Sequence, residues 1–379
     1  MNYKLTEEQE LIKQMVREFA ETEVKPIAAE IDKNHRFPVE TMEKLKDLSL
    51  MGVIIPEEYG GTGADSISYM IVIEELSRAC ASTGIIVATH ISLCCYPIFK
   101  YGTEEQKQKY LTPLASGEKL GAFCLTEPGA GTDAAAQLTT AVLDGDHYVL
   151  NGSKCFITNG GYADTFIVMA MTDKSKGTKG ISAFIVEKDF PGFSVGQSED
   201  KLGIKGSSTT EIIFKDCRVP KENILGAESQ GFKIAMHSLD VGRIGVGAQA
   251  LGIAQACLDE SIKYAKERQQ FGKPIGSFQA IQWILADMAT KIQCSRHLIY
   301  HAAWLKENNL PFSAEAAMAK LYASETAMEA SVKAIQIHGG HGYTTNYPVE
   351  RFFRDAKITE IYEGTSEVMK MVIAGNLLR

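Results

Sequence analysis

Late in the chain a single carboxylate, Glu363, stands in the stretch Ile361-Tyr362-Glu363-Gly364-Thr365-Ser366-Glu367. Gly364 removes the side chain beside the acid, so a ligand can approach the backbone closely. Thr365 or Ser366 can cap the helix that follows, which reads Glu367-Val368-Met369-Lys370-Met371-Val372-Ile373. Desolvation of a carboxylate at an apolar helix lip raises its pKa towards neutrality, which suits a general base. The same residues also fit a solvated loop acid ahead of an ordinary cap, so the rest of the chain decides between the two.

Three further stretches carry chemistry-bearing residues. Leu125-Thr126-Glu127-Pro128-Gly129-Ala130-Gly131-Thr132-Asp133 ends a strand-like run. Its hydroxyls and exposed backbone N–H groups suit a phosphate or a carbonyl-bearing ring. It is neither a Walker loop, since no Gly-Lys-Ser/Thr follows, nor a Rossmann fingerprint, since no βαβ unit surrounds it. Gln336-Ile337-His338-Gly339-Gly340-His341-Gly342-Tyr343 closes a long helix at Gly339 and has more glycine than a cap needs. His341 has no neighbouring carboxylate and reads as a structural or exposed loop histidine. In Asp240-Val241-Gly242-Arg243-Ile244-Gly245-Val246-Gly247-Ala248, three helical glycines imply close packing on one face. Arg243 needs an anionic partner, Glu363 or a ligand oxygen, unless it reaches solvent.

The elements that must position these residues follow an α+β order. Residues 1–117 read as an N-terminal α-helical domain, opened by a Thr6/Gln9 capping box, with a second box at Thr103/Gln106. Residues 118–225 read as a middle antiparallel β-domain, a small sandwich or barrel. Its runs are Gly121–Leu125, Thr139–Leu143, His147–Leu150, Thr165–Met171, Ile181–Val186 and Glu211–Phe214, with turns at Asp144-Gly145 and Asn151-Gly152. Residues 226–379 return to helix, over Phe232–Arg268, Phe278–Asn308 and Ala314–His338 with a short helix after Glu363, and read as an antiparallel bundle.

Composition narrows the function classes. A net charge of −8 disfavours nucleic-acid binding. The eight cysteines include no C-x-x-C pair and read as reduced core residues of an intracellular, cytoplasmic protein. No histidine pair with metal-ligand spacing is present, so no metal site is expected. The immediate start of the first helix leaves no room for a leader peptide. The most apolar window, Gly84–Phe99, falls short of the ~20 residues of a membrane span.

With these motifs in order, the chain resembles an acyl-CoA dehydrogenase from Thr6 to Arg379, most like the short-chain, butyryl-CoA type of clostridia. The stretches Leu125–Asp133, Gln336–Asp355 and Ile361–Glu367 resemble two family signatures and the catalytic segment of its short-chain members. The resemblance implies a C-terminal four-helix bundle, FAD, and a homotetramer. It implies that Leu125, Thr126, Phe156, Ile157 and Thr158 border the flavin ring. Arg268, Phe271, Gln279, Gln336, Gly339 and Gly340 would hold the rest of FAD, partly across a subunit interface, with Thr365 and Glu367 also touching it. Thr132, Asp240, Arg243, Gly247 and Gly364 would line the acyl-CoA channel, with Gly247 widening it.

The implied reaction is α,β-dehydrogenation of a short-chain acyl-CoA, or reduction of the enoyl-CoA, with Glu363 as the base. An electron-transferring flavoprotein, bound transiently or in a stable or bifurcating complex, would exchange the electrons. Alternatives on the same fold are a reductase for a bulkier or aryl enoyl-CoA, a non-catalytic flavin-bearing binding protein, and an acyl-CoA oxidase. Glu363 and the negative charge argue against the binding protein, and the absence of sequence beyond the bundle argues against the oxidase.

Overall fold

The computed structural model describes residues 4–378; the outermost positions of the first and third expected domains, residues 1–3 and 379, lie outside the described residues. Helix α1 (Glu7–Phe19) begins at the expected capping box, in which Gln9 N donates to Thr6 Oγ1 at 3.2 Å and Thr6 N donates to Gln9 Oε1 at 3.0 Å. The box at Thr103 and Gln106 forms in the same way. Helix α2 (Ser66–Ala79) is capped by Asp65, and helix α3 (Ala81–Thr89) runs through a π-helical turn, His90–Cys95, into a last turn at Tyr96–Tyr101. Two further π turns occupy Ala20–Val24 and Lys107–Leu111.

The helical run Ala81–Tyr101 is therefore 21 residues long, more than the apolar window in the sequence indicates. It and Gly231–Glu267 are long and apolar enough to cross a membrane, and 94% of the most apolar window of each is buried inside the fold. Their apolarity is used for packing against neighbouring helices.

The strands are β1 (Gly121–Cys124), β2 (Thr140–Asp144), β3 (His147–Thr158), β4 (Thr165–Met171), β5 (Ile181–Glu187), β6 (Phe193–Ser198), β7 (Thr209–Pro220) and β8 (Ile224–Leu225). They form one sheet in the order β6-β7-β3-β2-β4-β5-β8, with β1 also on β4. The sheet departs from the expected antiparallel arrangement at its centre, where β4 runs parallel to both β1 and β2. Strands β1 and β4 are buried along their whole length, the condition under which parallel strands occur. Asp144-Gly145 makes the expected tight turn, because Asp144 pairs directly with His147. Asn151-Gly152 does not. It lies inside β3 at a register shift, with Gly152 at φ 147°, where a Cβ would meet Thr139 Oγ1 at 2.5 Å. Strand β6 has no run of branched residues and is largely exposed, which is why alternation did not reveal it.

The last helices are α4 (Gly231–Glu267), α5 (Gln279–Glu307), α6 (Ser313–His338), α7 (Val349–Ile358) and α8 (Ser366–Leu377). The first three match the expected spans within a residue at each end; α7 is additional, burying Val349, Phe352 and Ala356. Helix α4 is buried through almost every residue from Val241 to Leu258. Charged pairs tie the first helices to the last: Arg296 to Glu74 at 2.6 Å and Arg354 to Asp32 at 2.6 Å.

The close approach of α4 to α2 depends on Gly252, where a Cβ would lie 2.4 Å from Glu74 O and 2.8 Å from Ser77 Cβ. Backbone cannot yield as a side-chain tip can, so Gly252→Val is expected to destabilise the protein by at least about 1–3 kcal/mol. A thermal melt of the variant equal to that of the parent would contradict this packing.

Candidate functional site

Glu363 sits in the turn between α7 and α8, and its backbone is left-handed, with φ 55°, followed by Gly364 at φ 106°. A left-handed non-glycine residue costs roughly 1–2 kcal/mol, so the surrounding structure must hold it there. Three contacts do so. Arg243 Nε donates to the Glu363 carbonyl at 3.2 Å. Lys320 Nζ donates to the Gly364 carbonyl at 2.6 Å. Thr365, not Ser366, caps α8, its Oγ1 accepting from Val368 N at 3.3 Å. Before the turn, the Tyr362 hydroxyl donates to Gln249 Oε1, and Gln249 Nε2 donates to the Ala81 carbonyl at 3.1 Å, joining the turn to α4 and α3.

The carboxyl group lies over Gly242 of α4. A Cβ at that position would come within 2.0 Å of Glu363 Oε2 and 3.1 Å of Leu93 Cδ2. Oε2 is buried and has no hydrogen-bond partner. Loss of solvation pushes the Glu363 pKa up to about 7, against the opposing pull of Lys320 and Arg243. The same burial pushes Lys320 down to about 8. Such a carboxyl can exchange a proton near neutral pH, which is the requirement for a general base.

Arg243 is 5% exposed, so it does not reach solvent. Its carboxylate partner is Asp240, one turn back, at 2.7 Å, and its contact with Glu363 is to the main chain. Glu363, Gly364, Thr365, Asp240 and Arg243 are thus brought together. Gly247 is not part of this group. Its nearest neighbours would be Ile299 Cγ1 at 3.2 Å and the Ala319 main chain at 3.6 Å, so it lets α4 approach α5 and α6. Gly247 was expected to widen the acyl channel, and its immediate neighbours give it a helix-packing role; the glycine beside the carboxyl is Gly242.

A second group gathers at the strand ends. Cys155 N donates to the Thr126 carbonyl at 2.9 Å, which places Leu125 and Thr126 beside Phe156, Ile157 and Thr158. Phe156 occupies a register shift of β3 with φ 58° and is 62% exposed, an aromatic face held out of the sheet. Lys154, fully buried, fixes the loop beneath by donating to Leu125 O, Glu127 Oε1 and Gln137 Oε1 at 3.1, 2.8 and 3.1 Å. Leu93 and Leu125 share one apolar cluster, which links these strand ends to the wall of the Glu363 site. Thr132 is exposed further along the same loop.

A third group is exposed. Arg268, Phe271 and Gln279 lie at and after the end of α4, with Phe271 at φ 52° and 92% exposed. Gln336, Gly339 and Gly340 lie at the exposed end of α6, and Gly339 has φ 59°, the expected break of the helix. Nothing lies within 4 Å of where a Cβ of Gly339 or Gly340 would be. Glu367 is exposed on the first turn of α8. His341 is accounted for structurally, with Nδ1 3.0 Å from the Tyr264 hydroxyl and its ring stacked on Tyr347. Among the described residues there is no cluster able to hold a metal ion.

The fold and site define a buried, near-neutral base set against a β-sheet that offers an aromatic platform. Residues 6–118, 122–217 and 229–378 match the models of the acyl-CoA dehydrogenase N-terminal, middle and C-terminal domains. The chain is 60% identical over 379 residues to a short-chain specific acyl-CoA dehydrogenase of Clostridium acetobutylicum, with 100% of both chains covered. It superposes on butyryl-CoA dehydrogenase from Megasphaera elsdenii with a TM-score of 0.99 at 51% identity, covering 100% of both. It matches equally well, at TM-score 0.99 and 57% identity over 100% of both chains, a chain in a structure described as the electron transferring flavoprotein of Acidaminococcus fermentans, towards a mechanism of flavin-based electron bifurcation. The chain belongs to the acyl-CoA dehydrogenase family, FAD-dependent oxidoreductases acting on CH–CH bonds. The protruding Phe156, the open glycines at 339 and 340, and the buried, unpartnered Ser366 Oγ fit a large planar cofactor with polar appendages.

Two outcomes follow from this geometry. Because the base must be ionised to take a proton, kcat/KM for acyl-CoA oxidation is expected to climb with pH and level off above about 7. A profile levelling near 4.5, the ordinary carboxyl value, would mean that the acid is solvated. Gly242→Ala puts a methyl where Oε2 lies, and a carboxyl tip can swing aside, so the variant should fold. Its turnover should drop by about 10²-fold, the effect of a base misplaced by about an ångström; native turnover would show that the acid does not need this position.

Proposed function

We propose that this protein oxidises a butyryl-sized acyl-CoA to its α,β-enoyl-CoA, or reduces the enoyl-CoA, with Glu363 as the proton-transferring group. The observation that carries the reading is the buried, unpartnered Glu363 Oε2, whose carboxyl burial pushes up to about 7. In the oxidative direction Glu363 takes the proton from the carbon next to the thioester carbonyl. The Glu363 N–H is assigned to that carbonyl, where it favours the enolate-like charge. The C–C double bond forms as the β-carbon gives up hydride. FAD held at this site would supply the hydride acceptor and the route by which the electrons leave. In the reductive direction the Glu363 carboxylic acid returns its proton to the α-carbon.

Leu125, Thr126 and Phe156 to Thr158 would border the flavin, and Thr365 and Glu367 would reach it from α8. Arg268, Phe271, Gln279, Gln336, Gly339 and Gly340 would hold the remainder of FAD, and their exposure in a single chain favours a homotetramer in which subunits share the cofactor. Asp240, Arg243, Gly364 and Thr132 are assigned to the acyl-CoA channel. The short-chain assignment draws on the similarity to the short-chain specific enzyme of Clostridium acetobutylicum. With Gly247 packed against α5 and α6, its support for a bulkier or aryl substrate falls away. An electron-transferring flavoprotein is the proposed electron partner, in keeping with the description of the Acidaminococcus structure. The seven buried free cysteines are consistent with a reducing, cytoplasmic setting.

The test is Glu363→Gln, assayed by anaerobic bleaching of the flavin with butyryl-CoA and by turnover with crotonyl-CoA. The variant should bind FAD and acyl-CoA as the parent does and lose about 10²–10⁴-fold in rate, the usual contribution of a general base. Retention of more than about a tenth of the native rate would reject Glu363 as the base.

A further inference from the structure

Lys320 lies in the Ala-rich middle of α6 and is 0% exposed. A buried ammonium is expensive unless it is paired and hydrogen-bonded. Its hydrogen bond goes to the carbonyl of Gly364, at 2.6 Å, and Arg243 makes the matching bond to the carbonyl of Glu363. Two cations from two helices therefore grip two successive carbonyls of the left-handed pair Glu363-Gly364. The Glu363 carbonyl belongs to the peptide plane that leaves its Cα and the Gly364 carbonyl to the plane after it, so the two bonds hold the main chain on the C-terminal side of Glu363. From that held turn the carboxyl reaches over Gly242.

We propose that Lys320 is a positioning residue for Glu363: its ammonium holds the Gly364 carbonyl and, with Arg243, the turn that aims the carboxyl, while its charge favours the ionised base. The inference rests on the reading of Glu363 as the base and deepens it. A packing role alone would need only the aliphatic stem of Lys320, and a solvating role would need exposure that it lacks.

The charged and titratable groups around the carboxyl come from every neighbouring element. Lys320 belongs to α6, Arg243 with its partner Asp240 to α4, Tyr69 to α2, and Tyr362 to the turn itself. Glu360 and Glu367 face Lys320 from either side of the turn. Only Lys320 and Arg243 favour the carboxylate, and Arg243 already has Asp240 beside it. Removing the Lys320 charge should thus move the pKa of the base upward, and the active limb of the oxidation profile to higher pH.

The experiment compares the native holoenzyme with Lys320→Met, Lys320→Arg and Glu363→Gln. Each is followed by anaerobic flavin bleaching with butyryl-CoA across pH, together with the flavin spectrum and the KM for butyryl-CoA. Lys320→Met preserves the stem but leaves the Gly364 carbonyl without its donor, so a thermal melt accompanies each variant and Lys320→Arg, which keeps charge and donors, serves as the second variant. It should keep the native flavin spectrum and KM, bleach at least about tenfold more slowly, and show a kinetic pKa about one unit or more higher. Lys320→Arg retains charge and donors and should recover part of the rate and return the pKa towards the native value. A Lys320→Met variant with the native rate and midpoint overturns the proposal, as does a slower one with an unshifted midpoint, or an Arg variant as slow as the Met one. Loss of activity in Glu363→Gln alongside native behaviour of Lys320→Met would remove the role of Lys320 and leave the base in place. Full activity in Glu363→Gln would remove the base itself.

Discussion

A carboxylate that is to take a proton must be neither solvated nor neutralised by a close ion pair, and the Glu363 turn meets both conditions by pointing its two cations at carbonyls. Arg243 and Lys320 donate to the main chain of residues 363 and 364, and Glu363 Oε2 is left without a hydrogen-bond partner. The electrostatic outcome is a compromise. Burial raises the pKa, the two cations restrain the rise, and the carboxyl settles near neutrality. A direct salt bridge would have held the acid ionised and weakly basic; apolar walls alone would have kept it protonated.

The arrangement also dictates much of the helical architecture. The carboxyl needs space on α4, which Gly242 supplies, and the turn needs cations from both α4 and α6, so those helices must pack closely. Gly247 allows α4 to approach α5 and α6, and Gly252 allows its approach to α2. Along the same helices the pairs Arg296–Glu74 and Arg78–Asp259 fix the relation of the first helices to the last. Removing one partner of such a largely buried pair would strand the other charge, so the pairs penalise other arrangements of these helices.

Much of this was legible in the sequence, and the failures share a cause. The long helices appear within a residue of their expected ends because their end signals are local, as where Gly339 closes α6. Glu363 stood out because its glycine and hydroxyl neighbours are adjacent in the chain. Lys320 did not, since a lysine in a helix ordinarily reaches solvent, and only the packing of α6 against the turn shows otherwise. Gly242, Gly245 and Gly247 look alike in sequence, and their roles differ because each faces a different partner: the carboxyl, Tyr69 and Ala88, or Ile299. Asn151-Gly152 has the composition of a turn yet forms a bulge, because β3 continues its pairing with β7 on both sides. The parallel pairing of β4 leaves only the unbroken apolar run of the strand as a local mark, since the partner is chosen among distant strands.

The π-helical turn His90–Cys95 lies within the helical run whose Leu93 flanks Gly242. Such a turn is an α-helix carrying one surplus residue. The phase of Leu93 relative to α3 is therefore set by chain length as much as by side-chain identity. Loss of one residue here can be absorbed by winding the turn into ordinary α-helix, which alters the local wall while leaving the phase of the helix on either side unchanged. This wall of the site is consequently a place where the protein can be remodelled by a change of length, a route usually closed inside a buried helix.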